Sequence, residues 1–190
     1  LGIDRAHLLG HSMGGWIALE LARRGRAIDV VAVAPVGGAT PAEARASKLA
    51  LTASRAAARV VLPVVGTITR RPRLRRIALR GSVKDPDLVD PAALETSIRY
   101  LARSVGHDKL LPDVAGPGDL IDNNRVGFGR IDCPVLIAWG TDDGVLSYDA
   151  APRVAEAIPG AELRTLEGHG HSPLLDHPEL VAELALERAG

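Results

Sequence analysis

The sequence predicts an α/β fold in which a small parallel sheet is covered by helices. Short apolar runs rich in β-branched residues alternate with helical patterns at both ends of the chain, and glycine-rich loops follow three of the runs. A strand–helix–strand unit of the length found at residues 6–34 implies two parallel strands joined by a right-handed crossover. With 190 residues the chain is one domain by size, with room for an insertion.

Four strands are expected in this fold, each a short apolar run bounded by turn residues. They lie at residues 6–9, 28–34, 134–140 and 161–166. Helical patterns occupy 13–24, 148–158 and 178–188, the last with its apolar residues on one side.

The segment 39–129 contains no convincing strand and is expected to be a helical insertion with proline-rich joints. Thr40 to Glu43 form a capping box that opens a helix to about Val61. Further helices are expected at 74–79 and 91–105, and one more turn at 119–124. The predicted domains are therefore 1–38 with 130–190 as the core and 39–129 as the insertion.

Composition favours a globular protein and excludes several classes. Hydrophobic residues make up 46% of the chain, charged residues 24%, and the net charge is zero. We find no apolar run of the ~18 residues needed to cross a membrane and no signal peptide. The single cysteine, Cys133, excludes an internal disulfide and favours a reducing, cytoplasmic location.

The first strand runs directly into a Gly-x-Ser-x-Gly motif that is followed by a helix. Strand, tight turn and helix are the context in which this motif forms a nucleophile elbow, with the Ser12 hydroxyl raised above the strand ends. We expect Gly10 and Gly14 to be required because side chains there would collide with the neighbouring strand and helix. The N–H of Met13, at the start of the helix, would point at a developing oxyanion.

Two further loops with reactive side chains follow the third and fourth strands. One carries Asp142 and Asp143, the other His169 and His171. A serine hydroxyl is a poor nucleophile until a base removes its proton, and the base needs a carboxylate to fix its tautomer. Since open α/β sheets place their sites at the carboxyl ends of the strands, we expect these groups to meet at one edge.

Together these motifs resemble the α/β-hydrolase family. Residues 10–15 resemble its nucleophile elbow, 134–143 its acid strand and loop, and 170–179 its histidine loop and last helix. The resemblance implies a partial α/β-hydrolase fold with four parallel strands in chain order and residues 39–129 as a helical lid. It also implies a serine hydrolase that cleaves an ester, thioester or related carbonyl compound without a cofactor.

The resemblance also assigns the site. It implies nucleophile Ser12, acid Asp143 and base His171, with the Met13 N–H as oxyanion donor and His11 and Val145 in contact with a small-molecule substrate. The family pattern places the acid two residues before an apolar residue, which favours Asp143 over Asp142. Its Gly-His-x-Pro arrangement favours His171 over His169, which would be a polar loop residue near the entrance.

Other interpretations of the polar residues were weighed. His169, His171, Asp176 and His177 resemble a metal cluster, but no matching pair elsewhere completes it, so no metal is expected. Residues 44–84 contain eleven Lys or Arg and no acid. This run is either a solvated helical face or a basic lid that attracts an anionic substrate or an acidic membrane surface. Nucleic acid is not expected, because no aromatic residues interleave with the arginines.

The resemblance further implies that strands preceding the elbow are absent from this chain. We therefore expect a fragment whose first strand is an unprotected edge, with self-association through that edge. A catalytically inert fragment is the alternative to an active hydrolase. A serine at the elbow argues against epoxide hydrolase activity, for which the resemblance would require an aspartate. Acyl transfer, C–C bond hydrolysis and perhydrolysis stay open.

Overall fold

The computed structural model describes residues 2–106 and 128–189. Within them the four expected strands form one parallel sheet in chain order. They are β1 (Ala6–His11), β2 (Ala27–Val33), β3 (Val135–Gly140) and β4 (Glu162–Leu166). The predicted fold class is therefore confirmed. The turn expected at 119–124 lies outside the described residues.

Helices cover the two faces of the sheet unequally, as right-handed crossovers between neighbouring parallel strands require. The helices of the core are α1 (Met13–Arg23), α6 (Ala150–Glu156), α7 (Pro173–Asp176) and α8 (Pro178–Ala189). Leu19 of α1 and Val154 of α6 are buried in one cluster with Val30 and Ile137 of the sheet. The opposite face packs on α8.

The predicted insertion contains four described helices, and we call this part of the chain the lid after the role expected for it. They are α2 (Pro41–Val61), α3 (Val65–Arg70), α4 (Pro72–Ala78) and α5 (Pro91–Arg103). The capping box forms as predicted: the Thr40 hydroxyl accepts the Glu43 N–H, and the Glu43 carboxyl accepts the Thr40 N–H. Helix α3 was not predicted, because Pro63 indicates a joint between helices. Pro63 lies in a 3₁₀ turn at Leu62–Val64, which connects α2 directly to α3.

One helical stretch of the lid is long and apolar enough, by length and composition, to cross a membrane. It covers the 30 residues Pro41–Arg70. Such a stretch was not predicted, because the sequence there contains no unbroken apolar run. Here alanines and valines carry the apolar character around Arg55 and Arg59. Helices of water-soluble domains meet the same criterion, so the absence of a membrane segment stays a prediction.

The lid is bonded to the core at several points. The Ser47 hydroxyl donates to the Val145 carbonyl at 2.7 Å, and the Arg153 guanidinium pairs with Glu43 at 2.6 Å. A separate apolar cluster joins Leu79, Val83, Val89 and Leu94 of the lid, with Leu175 of α7 packed against it. The described part of the lid therefore sits over the loops that follow β3.

The strand β1 is an edge of the described sheet, since β2 is its one partner there. Exposure alternates along β1, whereas every residue of β3 is buried. Leu8 packs against the core, but Leu9 is 47% exposed. The edge expected from the sequence is therefore present.

Candidate active site

Ser12 stands on a strained turn between β1 and α1. Its backbone has φ 56° and ψ −119°, a conformation that residues other than glycine rarely adopt. The turn is fixed on both sides: the Ser12 N–H donates to Val33 O at 2.9 Å, and its carbonyl accepts the Val36 N–H at 3.1 Å. The predicted nucleophile elbow is therefore present, anchored to the end of β2.

The glycines of the elbow differ from their predicted roles. A Cβ on Gly10 would lie 2.2 Å from the Gly14 carbonyl oxygen, so glycine is required there. A Cβ on Gly14 would meet no described atom within 4 Å, and the collision predicted for it is wrong. The close approach lies one residue later, because a Cβ on Gly15 would come within 2.9 Å of the Pro35 side chain.

Asp143 is oriented by its own loop. One carboxyl oxygen accepts the N–H groups of Val145 and Leu146, each at 2.8 Å. The other accepts the Nδ1–H of His171 at 2.8 Å, and the Asp143 side chain is fully buried. Asp142 is exposed and accepts a hydrogen bond from the Thr141 hydroxyl. The structure thus pairs the histidine with Asp143 rather than with Asp142.

His171 is buried beside this carboxyl group. Because Nδ1–H is donated to Asp143, Nε2 is the ring nitrogen left to take a proton. In the described residues no hydrogen bond joins the Ser12 hydroxyl to this ring. Catalytic hydrogen bonds are often long or poorly aligned before substrate binds. The structure therefore joins His171 to Asp143, and the role of Ser12 as nucleophile stays a prediction.

His11 connects the elbow to the histidine loop. Its Nε2–H donates to the His171 carbonyl at 2.7 Å, and the two ring centroids are 4.8 Å apart. Burial, and then the neighbouring His171 ring, lower the pKa of His11 to about 4. A neutral His11 therefore supports the histidine loop, and its contact with substrate stays a prediction.

Met13, the predicted oxyanion donor, begins a helix, and Val145, a predicted substrate contact, borders a cavity; both roles stay predictions. Met13 is the first residue of α1, so its N–H has no partner within the helix. Val145 borders a cavity of about 450 Å³ between α2 and the Asp143 loop. A second cavity of about 550 Å³ lies among the lid helices, with an apolar lining that includes Val61, Ile68 and Ile98.

His169 is buried in its loop, and its predicted position near the entrance stays a prediction. Its side chain is buried, and its Nδ1–H donates to the Glu167 carbonyl at 3.1 Å. Its ring meets the His177 ring edge-on, with centroids 5.1 Å apart.

One group of side chains has the donor set for a metal ion. Ligand atoms of Asp85, Asp176 and His177 lie within 4.8 Å of one another. The His177 Nε2–H already donates to Asp85 at 2.8 Å, which raises the pKa of His177. One Asp176 oxygen accepts two backbone N–H groups. This arrangement is a hydrogen-bonded network as it stands.

Gly81 touches both catalytic loops and was missed by sequence reasoning. Its carbonyl accepts the N–H groups of Gly144 and His171, at 2.9 and 3.3 Å. The signal was a glycine just after a helical pattern, which indicates a helix end. Nothing local to residues 79–84 points to a contact with loops sixty and ninety residues away.

The comparisons with known proteins agree with this architecture. A family model described as the alpha/beta hydrolase family matches residues 1–184. The chain belongs to this family. In this α/β hydrolase, Ser12, Asp143 and His171 follow the carboxyl ends of β1, β3 and β4, three of the four parallel strands.

Individual relatives carry several names. The chain is 29% identical over 190 residues to the epoxide hydrolase EphH of Mycobacterium tuberculosis, across 97% of this chain and 86% of that protein. It is 25% identical to a 2-hydroxy-6-oxononadienedioate/2-hydroxy-6-oxononatrienedioate hydrolase of Klebsiella pneumoniae, across 98% of this chain and 62% of that protein.

A solved structure has the same fold. The 2-hydroxy-6-oxo-6-phenylhexa-2,4-dienoate hydrolase of Rhodococcus sp. strain RHA1 superposes with a TM-score of 0.64 at 20% identity. The match covers 99% of this chain and 65% of the Rhodococcus chain. This chain therefore spans about 65% of the length of that structure.

Proposed function

We propose that this α/β hydrolase is a serine hydrolase that cleaves an ester, thioester or related carbonyl compound. The proposal depends mainly on the buried Asp143 side chain. One of its carboxyl oxygens accepts backbone N–H groups of its own loop, and the other accepts the Nδ1–H of His171. This bond holds the imidazole in the tautomer that leaves Nε2 to accept a proton. Packing alone does not call for such an arrangement.

The proposed reaction uses the chain's own groups. The Ser12 hydroxyl oxygen attacks the substrate carbonyl carbon while its proton passes to His171 Nε2. The Met13 N–H and the positive end of α1 stabilise the negative oxygen of the tetrahedral intermediate. His171 then gives the proton to the leaving group, and an acyl group stays on Ser12. A water molecule, deprotonated by His171, releases the acid and restores the serine.

Serine at the elbow favours acyl chemistry over epoxide opening. The relative from Mycobacterium tuberculosis is named an epoxide hydrolase, and the Klebsiella pneumoniae relative is named for a ketone dioate. A carbonyl substrate, including a C–C bond beside a carbonyl, suits Ser12 as nucleophile. We keep C–C hydrolysis as the second candidate because the Klebsiella pneumoniae relative aligns with 98% of this chain.

The test is covalent labelling of the serine. A fluorophosphonate probe should label the wild-type chain at Ser12, and Ser12→Ala should abolish both labelling and hydrolysis of a short nitrophenyl ester. Ser104→Ala, an exposed serine at the end of α5, serves as the matched control and should keep both.

An unlabelled but cooperatively folded wild-type chain would contradict the proposal for this chain. Labelling only after the chain is extended at its N-terminus would favour the inert fragment.

A further inference from the structure

A short part of the lid joins the loop that carries the acid to the loop that carries the base. We call residues 81–85 the bridging segment. The carbonyl oxygen of Gly81 accepts the Gly144 N–H at 2.9 Å and the His171 N–H at 3.3 Å. The next carbonyl, of Ser82, accepts the Ser172 N–H at 2.6 Å. One lid oxygen is therefore bonded to both catalytic loops.

The bridging segment fits so closely that two of its contacts leave no space for a side chain. A Cβ on Gly81, where φ is +74°, would lie 3.0 Å from the Cα of Gly144. A Cβ on Gly170 would lie 2.5 Å from the carbonyl carbon of Ser82. Backbone is packed on backbone here, so a displacement of the segment must also displace the loops.

The bridging segment is itself anchored by a buried carboxyl group. One oxygen of Asp176 accepts the N–H groups of Lys84 and Asp85, each at 2.8 Å. The Asp176 side chain has no exposed surface. The Lys84 ammonium also donates to the Glu167 carbonyl at 3.2 Å. These bonds fix the far end of the segment to the histidine loop and to α7.

We propose that Gly81 and Asp176 are positioning residues for the acid–base pair. The Asp143–His171 hydrogen bond spans two loops that follow different strands, and each loop can shift separately. A carbonyl that accepts one N–H from each loop fixes their separation, and Asp176 fixes that carbonyl. Misplacement by about 1 Å can cost on the order of 100-fold in rate, so a backbone contact in the lid sets catalytic efficiency.

This inference rests on the proposed function where activity is concerned, but its geometric part does not. The Nδ1–H proton of His171, donated to a carboxyl group, gives a strongly deshielded proton NMR signal. That signal can be assigned by its loss in Asp143→Ala. The signal shows whether the His171–Asp143 hydrogen bond is present, whether or not the chain hydrolyses an ester.

The first experiment compares Gly81→Ala with Gly160→Ala. Both glycines have positive φ, +74° and +70°, but a Cβ on Gly160 meets no described atom within 4 Å. Both variants therefore carry the same kind of backbone strain, and only one disturbs the loops. We expect Gly81→Ala to lose or shift the deshielded signal and to lower kcat by about 10- to 100-fold with KM nearly unchanged. Gly160→Ala should keep both.

Equal effects in the two glycine variants would overturn the proposal, as would an unchanged signal in folded Gly81→Ala. If Gly81→Ala shows no cooperative thermal transition, variants of Asp176 decide. Asp176→Asn keeps an oxygen that can accept both N–H groups, whereas Asp176→Ala leaves two donors unpaired. We expect the signal to persist in Asp176→Asn and to be lost in Asp176→Ala. Persistence in both would refute the anchoring role.

A failure of the proposed function has a different signature. In that case the wild-type chain would show the deshielded signal and the glycine pair would differ as expected. Neither labelling nor hydrolysis would be detected in any variant.

Discussion

The two ends of the sheet hold the site by different means. At the β3–β4 end, Asp143 and His171 are buried and bonded to each other, to their own loops and to the lid. At the β1 end, Ser12 follows a strand whose outer side has no described partner, and its backbone is hydrogen-bonded to Val33 at the end of β2 and to Val36. Several bonds therefore fix the Asp143–His171 pair, whereas the position of Ser12, the proposed nucleophile, depends on one edge strand.

The largest expected effect lies at the acid. Asp143→Asn should lower kcat by about 10⁴-fold, because an amide facing His171 favours the wrong tautomer. Asp142→Asn is the matched control: its side chain is exposed, and it should stay within about tenfold of wild type. The measurement is steady-state hydrolysis of a nitrophenyl ester. Equal losses of activity in the two variants would contradict the assignment of Asp143, rather than Asp142, as the acid.

The weakness of the β1 end should appear as association. The edge strand β1 contains no lysine or proline, and its one register irregularity lies at its start, between Ala6 and His7. Such an edge recruits other chains, and Leu9 adds an exposed apolar side chain to it. We expect the chain to self-associate at micromolar concentration and Leu9→Lys to reduce this in light scattering. Leu49→Lys makes the same change on an exposed lid helix. A monodisperse wild-type monomer, or equal effects of the two variants, would contradict the prediction.

The two ends meet at His11, whose titration should be visible in stability. In the folded chain the pKa of His11 is about 4, whereas its ordinary value is 6.5. Between these values the unfolded chain binds more protons, so stability falls as the pH drops, by up to about 1.4 kcal/mol per pH unit. His11→Gln, which can still donate to the His171 carbonyl, should flatten this part of the stability curve in urea unfolding.

A second histidine provides the control for that curve. The Asp85 carboxyl beside it raises the pKa of His177, so its contribution is full below pH 6.5 and is lost as the pH rises above its folded pKa. His177→Gln should therefore lower stability below pH 6.5 and have less effect once the pH exceeds the folded pKa of His177, so that the slope of the stability curve changes only above pH 6.5. Identical profiles for the two variants would show that His11 does not titrate as described.

The smallest expected effect concerns the arginines of the lid. Arg70, Arg71 and Arg73 are exposed, whereas Arg75 is buried and donates to Pro86 and Thr69. Changing the three exposed residues to Gln should reduce the salt dependence of activity toward anionic esters and leave neutral esters unchanged. Equal responses of the two substrate classes would identify the run as a solvated surface.

The sequence alone determined the strands, their order and the three loops that carry the reactive groups. The apolar runs, the elbow motif and the loops with Asp143 and His171 are local patterns. Such patterns can be recognised in the sequence without knowledge of the fold. The capping box predicted the start of α2 for the same reason. These elements each depend on neighbouring residues in the chain.

Only the tertiary structure decided the contacts that join distant segments. It paired His171 with Asp143, buried His169, moved the tight packing from Gly14 to Gly15 and bonded Gly81 to both catalytic loops. Each of these depends on backbone atoms that are brought together by sheet register and helix packing. Backbone carbonyls are identical in every residue, so no side-chain pattern could indicate which one would bridge the acid and the base.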